Sequence, residues 1–331
     1  LPLRLSSTSS VVSNLDKFVI LGKEIKRGKG ALLEMDVAKL HTRNSLQIPV
    51  IVQRGKKDGP VLLLMGGVHG DETNGVAIVR DIMRKKYNIP DAGTIICIPV
   101  LNVIGYLNQD RKFPDGRDLN RMFPGTAKGS LAAQFAFKFT KEIAPLVDYV
   151  LDFHTGGADR YNYPNIRCVV DNAEQLKMAQ VFGAPFIVHS SYIPKSIRQT
   201  IYKKGKTIIV FEGGKSLQLD HEVIDCGVQG ALNVMKHLGM REGELEINAE
   251  PVVVRKSRWL RAPYSGIFES QVKNGSEIKK GAIMGRISDP FGEFEKNLIA
   301  PFDGHIFGMN TAPILYKGDA IFHVSLAIDE D

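Results

Sequence analysis

The chain has 331 residues, 44% of them hydrophobic and 24% charged, with a formal net charge of +7. That length exceeds what one hydrophobic core usually organises, so two domains are the default expectation. No apolar run reaches the roughly eighteen residues of a membrane helix, and the basic residues fall in short groups without interleaved aromatics, so neither a membrane nor a nucleic acid is an expected partner. The serine-rich start through Ser13 lacks an apolar h-region, so no secretory signal is expected there. Ile48 to Gln53 and Val61 to Gly66 read as strands, and Asp71 to Lys86 as a helix with the stripe Val76, Ile78, Val79, Ile82 and Met83. Thr94 to Val100 is strand-like, and Leu131 to Ile143 is helical through Phe135, Phe139 and Ile143. Strands at Tyr149 to Phe153, Phe186 to His189 and Thr207 to Phe211 then alternate with helices at Ala173 to Val181, Ser196 to Lys204 and Glu222 to Leu238.

This alternation implies an α/β fold, a mixed and partly parallel sheet flanked by helices. Around Glu242 to Pro251 the character changes, and short glycine-punctuated β segments follow. We therefore expect a catalytic α/β domain over residues 1–245 and a small all-β, barrel-like domain over 251–331. The last part resembles the biotinyl/lipoyl barrel-sandwich pattern without its carrier-lysine motif; Lys296 reads as a surface lysine. Cys97, Cys168 and Cys226 are widely separated and form no paired framework, which suits reduced thiols in a cytoplasm-like compartment.

Ligands of open α/β sheets gather beyond the strand ends, where His69, His154 and Glu212 all fall. His69 and Glu72 form an H-x-x-E spacing in a glycine-rich turn, and His154 supplies a third ligand from Asp152-Phe153-His154. An imidazole, carboxylate, imidazole set leaves a position open on zinc, the mark of a catalytic site with one Zn2+ per chain. Zinc would acidify a water and polarise a carbonyl, although cobalt, nickel and manganese suit such donors too. Asp152, two residues before His154, projects to the same side and could orient its imidazole. Glu212 is the candidate base, since a carboxylate ending an isoleucine-valine strand needs a partner there. Between the ligands lies an arginine-rich loop in which Asn120 and Arg121 could grip a carboxylate and Arg111 an oxyanion. The remaining histidines, His41, His189, His221, His237, His305 and His323, have no ligand-like neighbours.

The motifs Gly67-Val68-His69-Gly70-Asp71-Glu72, Asp118-Leu119-Asn120-Arg121-Met122-Phe123, Asp152-Phe153-His154 and Phe211-Glu212-Gly213-Gly214 occur in order over about residues 45 to 240. Together they resemble the succinylglutamate desuccinylase/aspartoacylase family, zinc enzymes related to carboxypeptidase A. The resemblance implies that His69, Glu72 and His154 bind zinc and that Glu212 is general base and acid. It also implies that Asn120 and Arg121 contact the substrate carboxylate, Arg111 the oxyanion, and Arg198 the substrate more weakly. A C-terminal β domain that narrows access to the metal is a further implication. Two departures leave substrate choice open: Lys204-Gly205-Lys206-Thr207 replaces a frequent glycine-proline pair, and Tyr161, Tyr163 and Tyr192 compete for a pocket tyrosine.

The expected activity is zinc-dependent hydrolysis of an N-acyl amino acid or related small amide, with a small anionic N-acylated substrate as partner and self-association left open. The rivals are a metallocarboxypeptidase acting on peptides, using the same groups, and a non-catalytic binding or carrier protein working through Lys296.

Overall fold

The computed structural model describes residues 17–39 and 43–326, so the serine-rich start and His41 lie outside the described residues. A hairpin, β1 (Phe18–Ile20) and β2 (Lys23–Ile25), precedes three long strands, β3 (Gly30–Lys39), β4 (Ser45–Arg54) and β5 (Lys57–Gly66). Next come α1 (Thr73–Arg84), β6 (Ala92–Ile98), α2 (Val103–Asn108), α3 (Leu131–Glu142), β7 (Tyr149–Gly156), β8 (Arg160–Cys168) and α4 (Ala173–Phe182). They are followed by β9 (Phe186–His189), α5 (Ile197–Lys203), β10 (Thr207–Lys215) and α6 (His221–His237). The C-terminal part is β11 (Val252–Val254), β12 (Ser257–Arg261), β13 (Gly266–Ser270), β14 (Glu277–Ile278), β15 (Ile283–Ser288), β16 (Glu295–Ile299), β17 (Gly304–Asn310), β18 (Ile314–Leu315) and β19 (Ala320–Ser325). None of the described helices is long and apolar enough to cross a membrane.

The expected mixed sheet is present: β5 pairs in parallel with β6 and β7, β7 with β10 and β8 with β9, while β3 with β4, β4 with β6 and β8 with β10 pair antiparallel. Leu62 and Leu64 of β5 enter one hydrophobic core, Leu63 and Met65 the other. Burial on both faces is why this strand reads as a continuous apolar run and not as an alternation. Phe135 and Phe139 of α3 and Ile197 and Ile201 of α5 fill the core on one face; α1, α4 and α6 cover the opposite face through Ile78, Met178 and Val228.

Four strands of the α/β part, β1, β2, β3 and β8, and the short helix α2 escaped the sequence reading. β3 alternates buried Leu33, Met35 and Val37 with exposed Leu32, Glu34 and Asp36, a plain period-two signal ahead of the first strand expected at residue 48. β8 was missed because polar and aromatic residues interrupt any apolar period over Arg160 to Cys168.

Residues 238–251 carry neither helix nor strand, and the β-rich part beyond them has its own core around Phe268, Ile287, Leu298 and Phe322. It is also stitched to the main sheet, which runs β12-β19-β17-β8-β10-β7-β5-β6-β4-β3. Phe186, Val188, Val254 and Phe307 form a small cluster across that seam. Lys296 is exposed within β16, opposite Ile287, and not at the tip of the β15–β16 hairpin.

Candidate active site

Along β7, Val150 packs towards α3 and α5, whereas Leu151 and Phe153 pack into the other core. Side chains alternate along a strand, so Asp152 and His154 share the face of Val150. On β10, Ile208 joins the same core as Val150 while Ile209 and Phe211 join the other, which puts Glu212 on the face of His154. The two strands are parallel and in register, with Val210 opposite Asp152 and Glu212 opposite His154.

β5 ends at Gly66, and Gly67 turns the chain with a left-handed φ of +59°. Gly70 packs so tightly that a Cβ there would overlap the Gly105 carbonyl. This turn leads to Glu72, the N-cap residue of α1, whose side chain makes no capping hydrogen bond. It turns instead to the two histidines: Oε1 lies 2.7 Å from His69 Nδ1 and Oε2 lies 2.7 Å from His154 Nδ1. Thr155 N donates to the same Oε2 at 3.2 Å. His69, Glu72 and His154 are all buried, and their ligand atoms fall within 4.8 Å of one another.

The far ring nitrogens face carboxylates. His69 Nε2 is 3.2 Å from Asp118 Oδ1, and His154 Nε2 is 2.9 Å from Asp152 Oδ2. His69 Nε2 is hydrogen-bonded to Asp118, whereas His154 Nε2 stands beside Asp152 without hydrogen-bond alignment; a proton on each Nε2 would leave each Nδ1 lone pair for an ion, the tautomer a metal ligand needs. Two nitrogens and a carboxylate converging in this way fit a zinc-type ion with a position left open. Burial disfavours charge on Glu72, but His69 and His154 beside it outweigh burial and hold its carboxyl well below the usual range. Asp118 behaves alike: burial opposes its charge, while the hydrogen bond and charge of His69, then Arg111, hold it far below the ordinary carboxylate value.

Glu212 has the partners that its position demands. Its Oε2 accepts from Asn162 Nδ2 at 2.8 Å, and its Oε1 lies 3.4 Å from Arg167 Nε. Arg111, expected at the oxyanion, donates to Glu72 Oε1 at 3.0 Å and to Asp118 Oδ2 at 3.1 Å, so its fork braces the carboxylates around His69. Asn120 Oδ1 accepts from Ile197 N at 2.9 Å, tying the arginine-rich loop to the first residue of α5, and Arg121 Nη1 donates to the Asn120 carbonyl at 2.8 Å. Arg198 is 6% exposed; its Nη2 donates to Ser190 Oγ and the Ser191 carbonyl, and its Nη1 has no partner. Burial, then the neighbouring Arg167, pulls its pKa below the ordinary arginine value.

One cavity of ≈ 330 Å³ is lined by all nine residues singled out from the sequence. It is also lined by Arg160, Asn162 and Arg167 of β8 and Trp259 of β12, which were missed. Asp118 was within reach, since it stands in the quoted Asp118-Leu119-Asn120-Arg121 run. The β8 residues were not, because that strand was unassigned, and Trp259 comes from the C-terminal part. Tyr161, Tyr163 and Tyr192 do not line the cavity; Tyr161 donates to Asp220 Oδ2 at 2.6 Å, and Tyr192 stacks on Tyr202. Among the described residues no second group of His, Cys, Asp and Glu gathers with metal-ligand spacing.

Residues 58–238 match the succinylglutamate desuccinylase/aspartoacylase catalytic domain. The N-alpha-acetyl-L-2,4-diaminobutyric acid deacetylase of Halomonas elongata is 31% identical over 258 residues, 74% of this chain and 75% of that protein. A succinylglutamate desuccinylase/aspartoacylase structure from Rhodobacter sphaeroides superposes with a TM-score of 0.79 at 27% identity, covering 91% of this chain and 96% of the other. The product-bound ectoine utilization protein EutE of Ruegeria pomeroyi has the same fold, with a TM-score of 0.80 at 22% identity over 91% of this chain and 97% of the other. With more than half its length matched by the catalytic domain, this chain belongs to the succinylglutamate desuccinylase/aspartoacylase family of enzymes that act on amide bonds.

Proposed function

We propose that the chain is a zinc-dependent deacylase that hydrolyses the amide bond of a small N-acylated amino acid. The observation that supports this reading most is the pairing of a metal-type donor group with Glu212 on the neighbouring strand, facing one cavity with Arg198. His69, Glu72 and His154 would hold the ion, which when bound polarises the acyl carbonyl and acidifies a water. Glu212 takes the proton of the attacking water at Oε1, the oxygen that Asn162 leaves open, and passes it to the nitrogen of the leaving amine. Arg111 supplies positive charge beside the developing oxyanion.

Arg198 has no carboxylate at ion-pair distance among the described residues. A buried guanidinium in that state lacks compensation, and a substrate carboxylate at Nη1 provides it. Asn120, its Oδ1 already engaged, keeps its Nδ2 donors for the same group together with Arg121. A cavity of ≈ 330 Å³ with Trp259 as one wall favours a small substrate over a peptide. The free thiols Cys97, Cys168 and Cys226 suit a reducing, cytoplasm-like compartment.

The test is elemental analysis of the purified protein together with hydrolysis of a panel of N-acetyl and N-succinyl amino acids, with and without chelator. The panel includes Nα-acetyl-2,4-diaminobutyrate, named for the Halomonas relative. About one zinc per chain and chelator-sensitive release of one amino acid are expected. Peptides cleaved faster than any N-acyl amino acid would favour the carboxypeptidase reading, and no zinc after reconstitution would end the proposal.

A further inference from the structure

Asn162 stands between two glycines, opposite Gly214 of β10 on one side and Gly308 of β17 on the other. It is 4% exposed, and its Nδ2 donates to Glu212 Oε2 at 2.8 Å. The pairing of β8 with β10 slips between Glu212 and Gly214. Without that slip, Asn162 and Arg167, of opposite parity on β8, would point to opposite faces; with it, both reach the Glu212 carboxylate.

β17 belongs to the C-terminal part, and the sheet order β17-β8-β10-β7 puts one strand between it and Glu212. Gly308 is where the contact is closest. A Cβ there would sit 3.0 Å from His323 Cβ, 3.3 Å from Asn162 Oδ1 and 3.5 Å from Trp259 Cη2. Its bare backbone therefore lets Asn162, His323 and Trp259 pack together.

We propose that Asn162 is a positioning residue for Glu212, and that the C-terminal strands set its place through Gly308. The inference rests on the proton-shuttling role proposed for Glu212. Asn162 holds Oε2 so that Oε1 faces the reaction. Without this hydrogen bond the carboxylate is free to rotate onto Arg167, whose Nε is already 3.4 Å from Oε1. A guanidinium engages a carboxylate with two parallel hydrogen bonds when geometry allows, which would draw both oxygens away from the substrate. Misplacement of a reacting group by about 1 Å lowers rates by about a hundredfold. On this reading the C-terminal part, besides walling the cavity with Trp259, keeps the proton acceptor in line.

The experiment is steady-state kinetics and metal analysis of full-length N162A, N162D, G308A, E212Q and the double variant E212Q/N162A, on whichever N-acyl amino acid of the panel is cleaved fastest. N162A is expected to lower kcat about tenfold to a hundredfold with KM changed by less than about twofold and zinc content unchanged. N162D keeps the size and shape of the residue but replaces the donor by an acceptor, so it should be at least as slow as N162A; a residue acting by packing alone would give the reverse order. G308A should fall between N162A and wild type. Adding N162A to E212Q should cost nothing further, because the group being positioned is already gone. Wild-type kcat in N162D, or effects of N162A and E212Q that multiply in the double variant, would overturn the inference. Should N162A fail to fold, N162D carries the test. An active E212Q would remove the role of Glu212 and this inference with it, whereas an inactive E212Q beside an unaffected N162A would remove the inference alone.

Discussion

Glu212 and His154 face each other in register across the parallel strands β10 and β7, on the side of the sheet covered by α3 and α5. Parallel neighbours separate strands by about 4.8 Å, so the proton acceptor proposed on one strand lies within reach of chemistry at the ligand proposed on the next. Both residues sit where their apolar strands reach the cavity, which spares the carboxylate a fully dry environment while keeping it anchored by Asn162 and Arg167.

Glu212→Gln keeps the shape of the side chain and removes its capacity to accept a full proton. Turnover should fall about a hundredfold to ten-thousandfold, while bound zinc stays at the wild-type level, because Glu212 is not in the donor group. Initial rates and elemental analysis on the same preparation check this. Near-wild-type turnover would remove Glu212 from the mechanism.

The carboxylates behind the histidines should matter nearly as much as the proposed ligands themselves. Asp152→Asn and Asp118→Asn each replace an acceptor that faces an imidazole Nε2. Zinc affinity should weaken about tenfold to a hundredfold in each variant, measured by competition with a chromophoric chelator. Unchanged affinity in both would mean that the tautomers are set by other contacts.

Metal removal should lower thermal stability as well as activity. Three buried donors gathered within 4.8 Å would bind an ion only in the folded state, so an ion held there would stabilise that state by mass action. The melting temperature should drop on treatment with chelator and return when zinc is added back. An unchanged melting temperature, with metal shown to be absent, would argue that the donor group is organised without an ion.

Most of the candidate site was legible because its residues, which the fold brings to one cavity, end strong apolar strands: His154 follows Val150-Leu151-Asp152-Phe153, and Glu212 follows Ile208-Ile209-Val210-Phe211. Strand ends of this kind carry the buried core and the site in one local pattern. What stayed hidden depends on pairing between distant segments. Asn162 reaches Glu212 only because of a register slip, Trp259 arrives from nearly fifty positions beyond Glu212, and Arg111 turns to Glu72 and Asp118 in preference to open space. Local periodicity contains no information on such contacts. β3 is a different case, since its alternation was present to be read.

His323 makes a pH prediction. It is buried between Trp259 and Phe307, with ring centroids at 4.7 and 4.3 Å, and its Nε2 lies 3.0 Å from Ser257 Oγ. Burial, then the charge of Arg167, pushes its pKa from 6.5 down to about 3. The unfolded chain takes up this proton near 6.5 and the folded chain only near 3, so the contribution to stability is complete above 6.5 and lost as pH falls between them. His323→Gln should flatten the dependence of melting temperature on pH in that window. Parallel curves for variant and wild type would assign the acid sensitivity to other groups.

Arg198 should separate binding from stability. Its guanidinium is buried, held at Nη2 by Ser190 and Ser191, laid over the Tyr192 ring at 5.4 Å, and left without a partner at Nη1. Arg198→Met keeps most of the apolar stem and removes the charge. If Nη1 awaits a substrate carboxylate, KM should rise about tenfold to a hundredfold, the effect of losing a charge-assisted hydrogen bond of about 1.5–3 kcal/mol. The substrate-free protein should be as stable as wild type or more so, since an uncompensated buried charge opposes folding. Thermal melts and KM measured side by side decide the matter: a lower melting temperature with KM unchanged would make Arg198 a structural brace for the Ser190–Tyr192 segment and leave the substrate carboxylate to Asn120 and Arg121.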